Sequence, residues 1–228
     1  HSNGQATRRR GSSVRILASL FHPTGSWPFS GSERRFCAVT EQWVASGTQT
    51  WALEPEPFAA DKIAAGYRPL RVPVRGSTLA TQLLSWYLEA FSRGLAAARR
   101  TPFDLVYATN NNVFNLLLAS ALARRLSIPC VVVVHHLRWV DYTADSDVGT
   151  RGRYQPLTFL SALSRERMPL AGALARVAGA ALESRLLPSF DGFVTVSHAV
   201  QNQLAGLVLP GRIHTTGNAV RSRQEPGR

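Results

Sequence analysis

Ile128 to His136 read I-P-C-V-V-V-V-H-H. Between a proline and two histidines stand Cys130 and four valines, with no polar residue to mark a wet face. A half-exposed strand alternates apolar and polar residues, whereas a strand covered on both faces does not. The stretch therefore predicts a strand inside a parallel sheet that carries helices on both sides.

The same pattern spreads in both directions. V-R-I-L-A-S-L-F (Val14 to Phe21), F-D-L-V-Y-A-T (Phe103 to Thr109) and F-D-G-F-V-T-V-S (Phe190 to Ser197) are further short apolar runs. After the loop H-P-T-G-S-W-P-F-S-G, Phe36, Val39, Trp43 and Val44 recur at helical intervals up to Gly47. T-Q-T-W-A-L predicts a second strand, stopped by the breaker-rich E-P-E-P. L-R-V-P-V predicts a third, placed at the sheet edge by Pro73.

Ser77 to Arg100 predicts a long amphipathic helix with Leu79, Leu83, Leu84, Tyr87, Leu88 and Phe91 as its inner face. N-N-V-F-N-L-L-L-A-S-A-L-A-R-R-L predicts another. Residues 155 to 187 have mixed helical character, broken near Pro169 and closed by Pro188. H-A-V-Q-N-Q-L-A-G-L is a short helix, and G-R-I-H-T-T-G-N-A-V a last strand running into a turn. Strands separated by helices of these lengths give a doubly wound, Rossmann-like α/β sheet, whose ligands bind beyond the C-terminal strand ends.

Composition narrows the classes. With 228 residues, 45% of them hydrophobic, the chain can fill one sizeable core. Cys37 and Cys130 stand far apart inside apolar runs and read as free thiols packed as small hydrophobes. No cysteine or histidine spacing resembles a metal site. The formal net charge is +12, from 26 Lys+Arg against 14 Asp+Glu, with Lys62 the only lysine. Such a balance favours anionic partners. Nucleic acid would call for basic residues interleaved with aromatics, and no such stripe is present. The polar opening to Gly11 has no apolar signal core, and no run reaches the ~18 apolar residues of a membrane span. These features lead to the expectation of a cytoplasmic protein, one that can rest on the inner face of a membrane.

The strand-end loops hold the candidate chemistry. Gly25, Ser30, Gly31 and Ser32 precede the first helix, with Ser32 expected as its N-cap. Small residues and a helix N-terminus suit an anion, and an ordinary turn would use the same residues. The spacing is neither G-x-G-x-x-G nor a Walker loop. His135 and His136 end the valine strand, where an imidazole can donate a hydrogen bond or balance developing charge, or can simply be satisfied by backbone. Arg138, Trp139 and Asp141 follow as lining for a hydroxylated ligand or as plain exposed loop. Asn110 and Asn111 can meet hydroxyls, while Asn112 is expected to cap the next helix. Ser197 is another expected N-cap, and Gly217 and Asn218 suit a turn. Arg151, Arg153, Arg165, Arg167, Arg176 and Arg185 stand among leucines and alanines, either as a lipid-facing surface or as the solvated side of a helix pair.

The order of these blocks resembles that of the retaining glycosyltransferases of the GT-B fold, the glycosyltransferase family 4-like group. The opening strand with S-G-S-E-R-R, F-D-L-V-Y-A-T-N-N-N, I-P-C-V-V-V-V-H-H-L, F-D-G-F-V-T-V-S and R-I-H-T-T-G-N-A-V follow one another as the family's blocks do, over residues 14 to 220. The resemblance implies that residues 14–220 form the N-terminal, acceptor-side half of a GT-B fold. Residues 1–13 are then a flexible basic tail, and 221–228 begin a linker to a C-terminal domain absent from this chain. It implies transfer of a hexose from a nucleotide-diphosphate sugar to a hydroxyl acceptor, a lipid-linked one among the candidates, with no metal or other cofactor. His135 matches the histidine near the transferred sugar, Gly31 and Ser32 the loop that approaches the donor phosphates. Asn110, Asn111, Arg138 and Trp139 fall where acceptors lie. The family's Gly-Gly pair reads Ser30-Gly31 here, and its Asn-Gly-Val reads Asn218-Ala219-Val220. A non-catalytic, membrane-recruiting subunit and an unrelated Rossmann-like binder are the alternatives.

Overall fold

The computed structural model describes residues 13–20, 31–56, 66–137, 156, 160, 163 and 169–216. Along them run β1 (Arg15–Ser19), α1 (Gly31–Ala45), β2 (Gln49–Glu56), β3 (Arg68–Pro73), α2 (Leu79–Arg100), β4 (Leu105–Ala108) and α3 (Val113–Leu126). Then come β5 (Cys130–Val134), α4 (Leu170–Leu186), β6 (Gly192–Thr195), α5 (His198–Leu204) and β7 (Ile213–Thr215). Every strand pairing is parallel, and the seven-stranded sheet has the order β3-β2-β1-β4-β5-β6-β7. The chain winds outward from β1 to β3, returns to lay β4 against the other side of β1, and continues to β7. That reversal leaves a crevice above β1 and β4. The doubly wound α/β class is borne out.

The valine strand behaves as its sequence requires, since Cys130, Val132, Val133 and Val134 are all buried. Its lower end explains the repeated Phe-Asp pair. Phe103 and Phe190 are buried, and each following aspartate clamps the start of an adjacent strand. Asp104 Oδ2 accepts from the Arg15 N–H at 2.8 Å while the Asp104 N–H donates to the Arg15 carbonyl at 2.9 Å. Asp191 does the same for Cys130, at 2.8 and 2.9 Å. Two-bond clamps of this kind satisfy backbone groups at the point where the ladder begins.

Three expectations about the elements need correction. β2 does not stop at Leu53 but runs through Pro55 to Glu56, because β3 pairs alongside it there, with Pro55 opposite Val72. As expected, β3 is an edge strand, which is what tolerates its prolines. The inner face of α2 is set by Trp86 and Ala90, with Leu83, Tyr87 and Phe91 partly packed. Leu84 and Leu88 point outward at 59% and 57% exposure. The bulk of one indole outweighs two leucines in choosing the buried side. Gly94 lets α2 approach α3, since a Cβ there would lie 2.9 Å from Leu122 Cδ2. The third correction concerns Ser32, below.

Helix ends otherwise follow the sequence. Thr78 caps α2 in a capping box with Thr81, Asn112 caps α3 by accepting from the Phe114 N–H, and Ser197 caps α5 by accepting from Val200. Gly47, at φ +82°, ends α1 in the left-handed region. α4 starts directly after Pro169, as the break there predicts.

Candidate active site

Thr109, one residue past β4, stitches the floor of the crevice. Its N–H and its hydroxyl both donate to the Ser19 carbonyl, at 3.3 and 2.9 Å, so the ends of β1 and β4 are held together. The Ser19 hydroxyl oxygen is buried and has no hydrogen-bond partner among the described residues. An unpaired buried polar atom is costly in a finished core, and less so where a ligand completes it.

His135 follows β5 and borders the same floor. Its ring lies near enough to the Thr109 backbone for that group to favour the protonated form. Nε2 is buried and has no partner among the described residues. Burial pushes the imidazole below its ordinary value of 6.5, with Arg35 and His136 adding in the same direction, against the Thr109 backbone and Glu33. At neutral pH the ring is uncharged, and its buried Nε2 is available to a hydroxyl.

The lowered value has a consequence for stability. The unfolded chain binds this proton more readily than the folded one, so the contribution is complete above pH 6.5 and is lost as pH falls through the folded value. Urea titrations at pH ~7 and ~5 should therefore show a smaller loss for His135→Gln than for the wild type. Equal losses in both proteins would refute the shift.

The first helix supplies charge. α1 begins at Gly31, two residues before the start that an N-cap at Ser32 implies, so Ser32 lies inside its first turn and does not cap it. Its hydroxyl donates to Glu33 Oε1 at 3.1 Å. Glu33 is buried, and its carboxylate and the Arg35 guanidinium both act on the His135 ring. The Arg35 Nη2 donates to Thr216 Oγ1 just past β7, so the guanidinium ties the start of α1 to the far strand ends. Glu33 and Arg35 were not among the expected residues. Their signal lay in S-G-S-E-R-R, which reads as a helix start until the topology brings it over the crevice.

The asparagines divide. Asn110 Oδ1 accepts from the Asn112 N–H at 3.0 Å and from Asn115 Nδ2 at 2.7 Å, which leaves its own amide nitrogen for a ligand. Asn111 is buried, and its amide is committed inside the protein. Its Nδ2 donates to the His136 carbonyl at 2.8 Å and to Glu183 Oε1 of α4, and its Oδ1 accepts from the His135 N–H at 3.2 Å. The geometry gives Asn111 a tethering place and not the ligand-facing one expected. Arg138, Trp139, Gly217 and Asn218 lie outside the described residues.

The remaining candidates are structural. Cys37 and Cys130 are free and buried, and burial pushes the Cys37 thiol up to about 11, so neither is an activated nucleophile. Leu170, Leu174 and Leu182 stand exposed on α4 with Arg176 and Arg185. No helix among the described residues is long and apolar enough to cross a membrane.

A seven-stranded parallel sheet that reverses between β1 and β4 with helices packed against it is the Rossmann-like architecture of one half of a GT-B fold. The chain is a member of the glycosyl transferase 4-like family: the family model described as "Glycosyl transferase 4-like domain" matches residues 2–219. The family expected from the ordered blocks is the family found. No curated protein matches the chain in sequence. Among solved structures it is similar in fold to UGT2 of Phytolacca americana complexed with UDP-2-fluoro-glucose and pterostilbene. There the identity is 12% and the TM-score 0.60, covering 92% of this chain and 55% of that one. Sucrose-phosphate synthase of Thermosynechococcus elongatus gives 12%, 0.58, 90% and 48% in the same order. LpCGTa in complex with UDP gives 14%, 0.59, 90% and 53%. The chain thus spans about half the length of these structures.

Proposed function

We propose that this domain forms the acceptor side of a retaining glycosyltransferase that moves a hexose from a nucleotide-diphosphate sugar to a hydroxyl. The observation that carries the reading is the buried, unpartnered Nε2 of His135 beside the crevice. A neutral acceptor there holds a hydroxyl of the transferred sugar and leaves room for positive charge to develop at its anomeric carbon. Gly31 and Ser32 sit in the first turn of α1, whose N-terminus offers a favourable field to the donor phosphates. Asn110 lines the acceptor side through its spare amide, with Arg138 and Trp139 assigned there on the family pattern. Membership in the glycosyl transferase 4-like family and the nucleotide-sugar complexes of similar fold support the donor class. Exposed leucines beside arginines on α4 support an acceptor carried on an anionic membrane.

The test is transfer by the full-length protein from a panel of nucleotide-diphosphate hexoses to polyol and lipid-linked acceptors. Proton NMR of the anomeric position then reads the stereochemistry. Retention of the donor's configuration is expected. Inversion would remove the retaining assignment, and no turnover of any nucleotide sugar would sink the reading as a whole.

A further inference from the structure

Glu183 is the only carboxylate on α4, a helix otherwise built from leucine, alanine, glycine, valine, serine and arginine, and it is 2% exposed. A buried carboxylate is costly unless hydrogen-bonded, so its partner explains its presence. One such partner is the Nδ2 of Asn111, itself 7% exposed. The same amide reaches the end of β5. It donates to the His136 carbonyl at 2.8 Å and accepts from the His135 N–H at 3.2 Å. One side chain therefore grips the backbone on both flanks of the dipeptide that carries the imidazole. The sheet does not do this work, because pairing of β5 with β6 ends at Val134 opposite Thr195.

We propose that Glu183 and Asn111 are positioning residues: Glu183 fixes the rotamer of Asn111, and Asn111 fixes the strand-end backbone that aims His135 Nε2 into the crevice. The functional weight of the pair rests on the reading of His135 given above; the geometric relay does not. Asn111 arrives from the β4–α3 connection and Glu183 from the last turns of α4, so the relay joins segments distant in sequence at one peptide. A pair whose only task was to dock α4 on α3 would leave the imidazole unchanged when removed.

Glu183→Met tests the relay, because it keeps the side-chain length and helix propensity and deletes the acceptor. In the full-length protein with 13C-labelled histidine, the His135 Cε1–H resonance is assigned by its loss in His135→Ala. Folded Glu183→Met, checked by circular dichroism, should displace that resonance and its pH midpoint. It should also lower kcat by roughly tenfold to a hundredfold while the KM for the nucleotide sugar changes less than about threefold. Glu183→Gln, whose amide oxygen still accepts, should restore both. A wild-type resonance and midpoint in folded Glu183→Met overturns the relay. Should that variant not fold, Asn111→Ser is read in the same way. If His135→Ala leaves transfer intact while Glu183→Met still moves the imidazole, the functional reading fails and the relay stands.

Discussion

His135→Ala in the full-length protein is expected to lower turnover by a factor of a hundred or more, on the order of what one preorganised polar group contributes in a water-poor site. The expectation follows from where the ring is held. Nε2 is buried and without a partner among the described residues, and the Thr109 backbone, Arg35 and Glu33 act on the ring. A group with that much surrounding structure and one unpartnered ring nitrogen has a ligand-facing task. The fold should tolerate the loss. The ring is only half-buried beyond the end of β5, and the His135 N–H that donates to Asn111 belongs to the backbone and survives the substitution. Turnover and thermal unfolding measured on the same preparation separate the two effects. Near-normal turnover removes His135 from the active site, and a collapsed melting transition removes the claim that its role is chemical.

The largest effect on stability is expected at Phe193. It is fully buried at the middle of β6, in register with Val132 on one side and Ile213 on the other. Truncation to alanine removes the transfer free energy of the ring and leaves a void that a central parallel strand cannot close. The cost is about 3–5 kcal/mol, a large share of the roughly 5–15 kcal/mol that holds a domain folded. Urea unfolding of Phe193→Ala should show a midpoint shift of that size with an unchanged slope. A loss below about 1 kcal/mol would mean that the neighbouring strands relax into the void.

The strands were legible because burial on both faces writes itself into short apolar runs, as in Val131 to Val134. Caps were legible because Asn112 and Ser197 act on N–H groups two or three residues away. The face of α2 was misjudged, since periodicity counts apolar residues without weighing the size of Trp86. The position of His135 just past the end of β5 was legible from the valine run before it. Asn111 could not be read correctly, because its partner Glu183 lies 72 residues downstream. Nor could Arg35, whose bond to Thr216 crosses most of the chain. Local chemistry is readable along a sequence; a hydrogen bond between distant segments is set by topology.

The two Phe-Asp clamps give the sheet a sealed rim and an open one. At the sealed rim, Arg15 and Cys130 are each locked by a reciprocal pair of bonds to an aspartate. At the open rim, Ser19 and His135 keep unused valences. The foundations and the workspace thus share no residues. Loops at the upper edge can therefore change while the lower edge continues to specify the same scaffold.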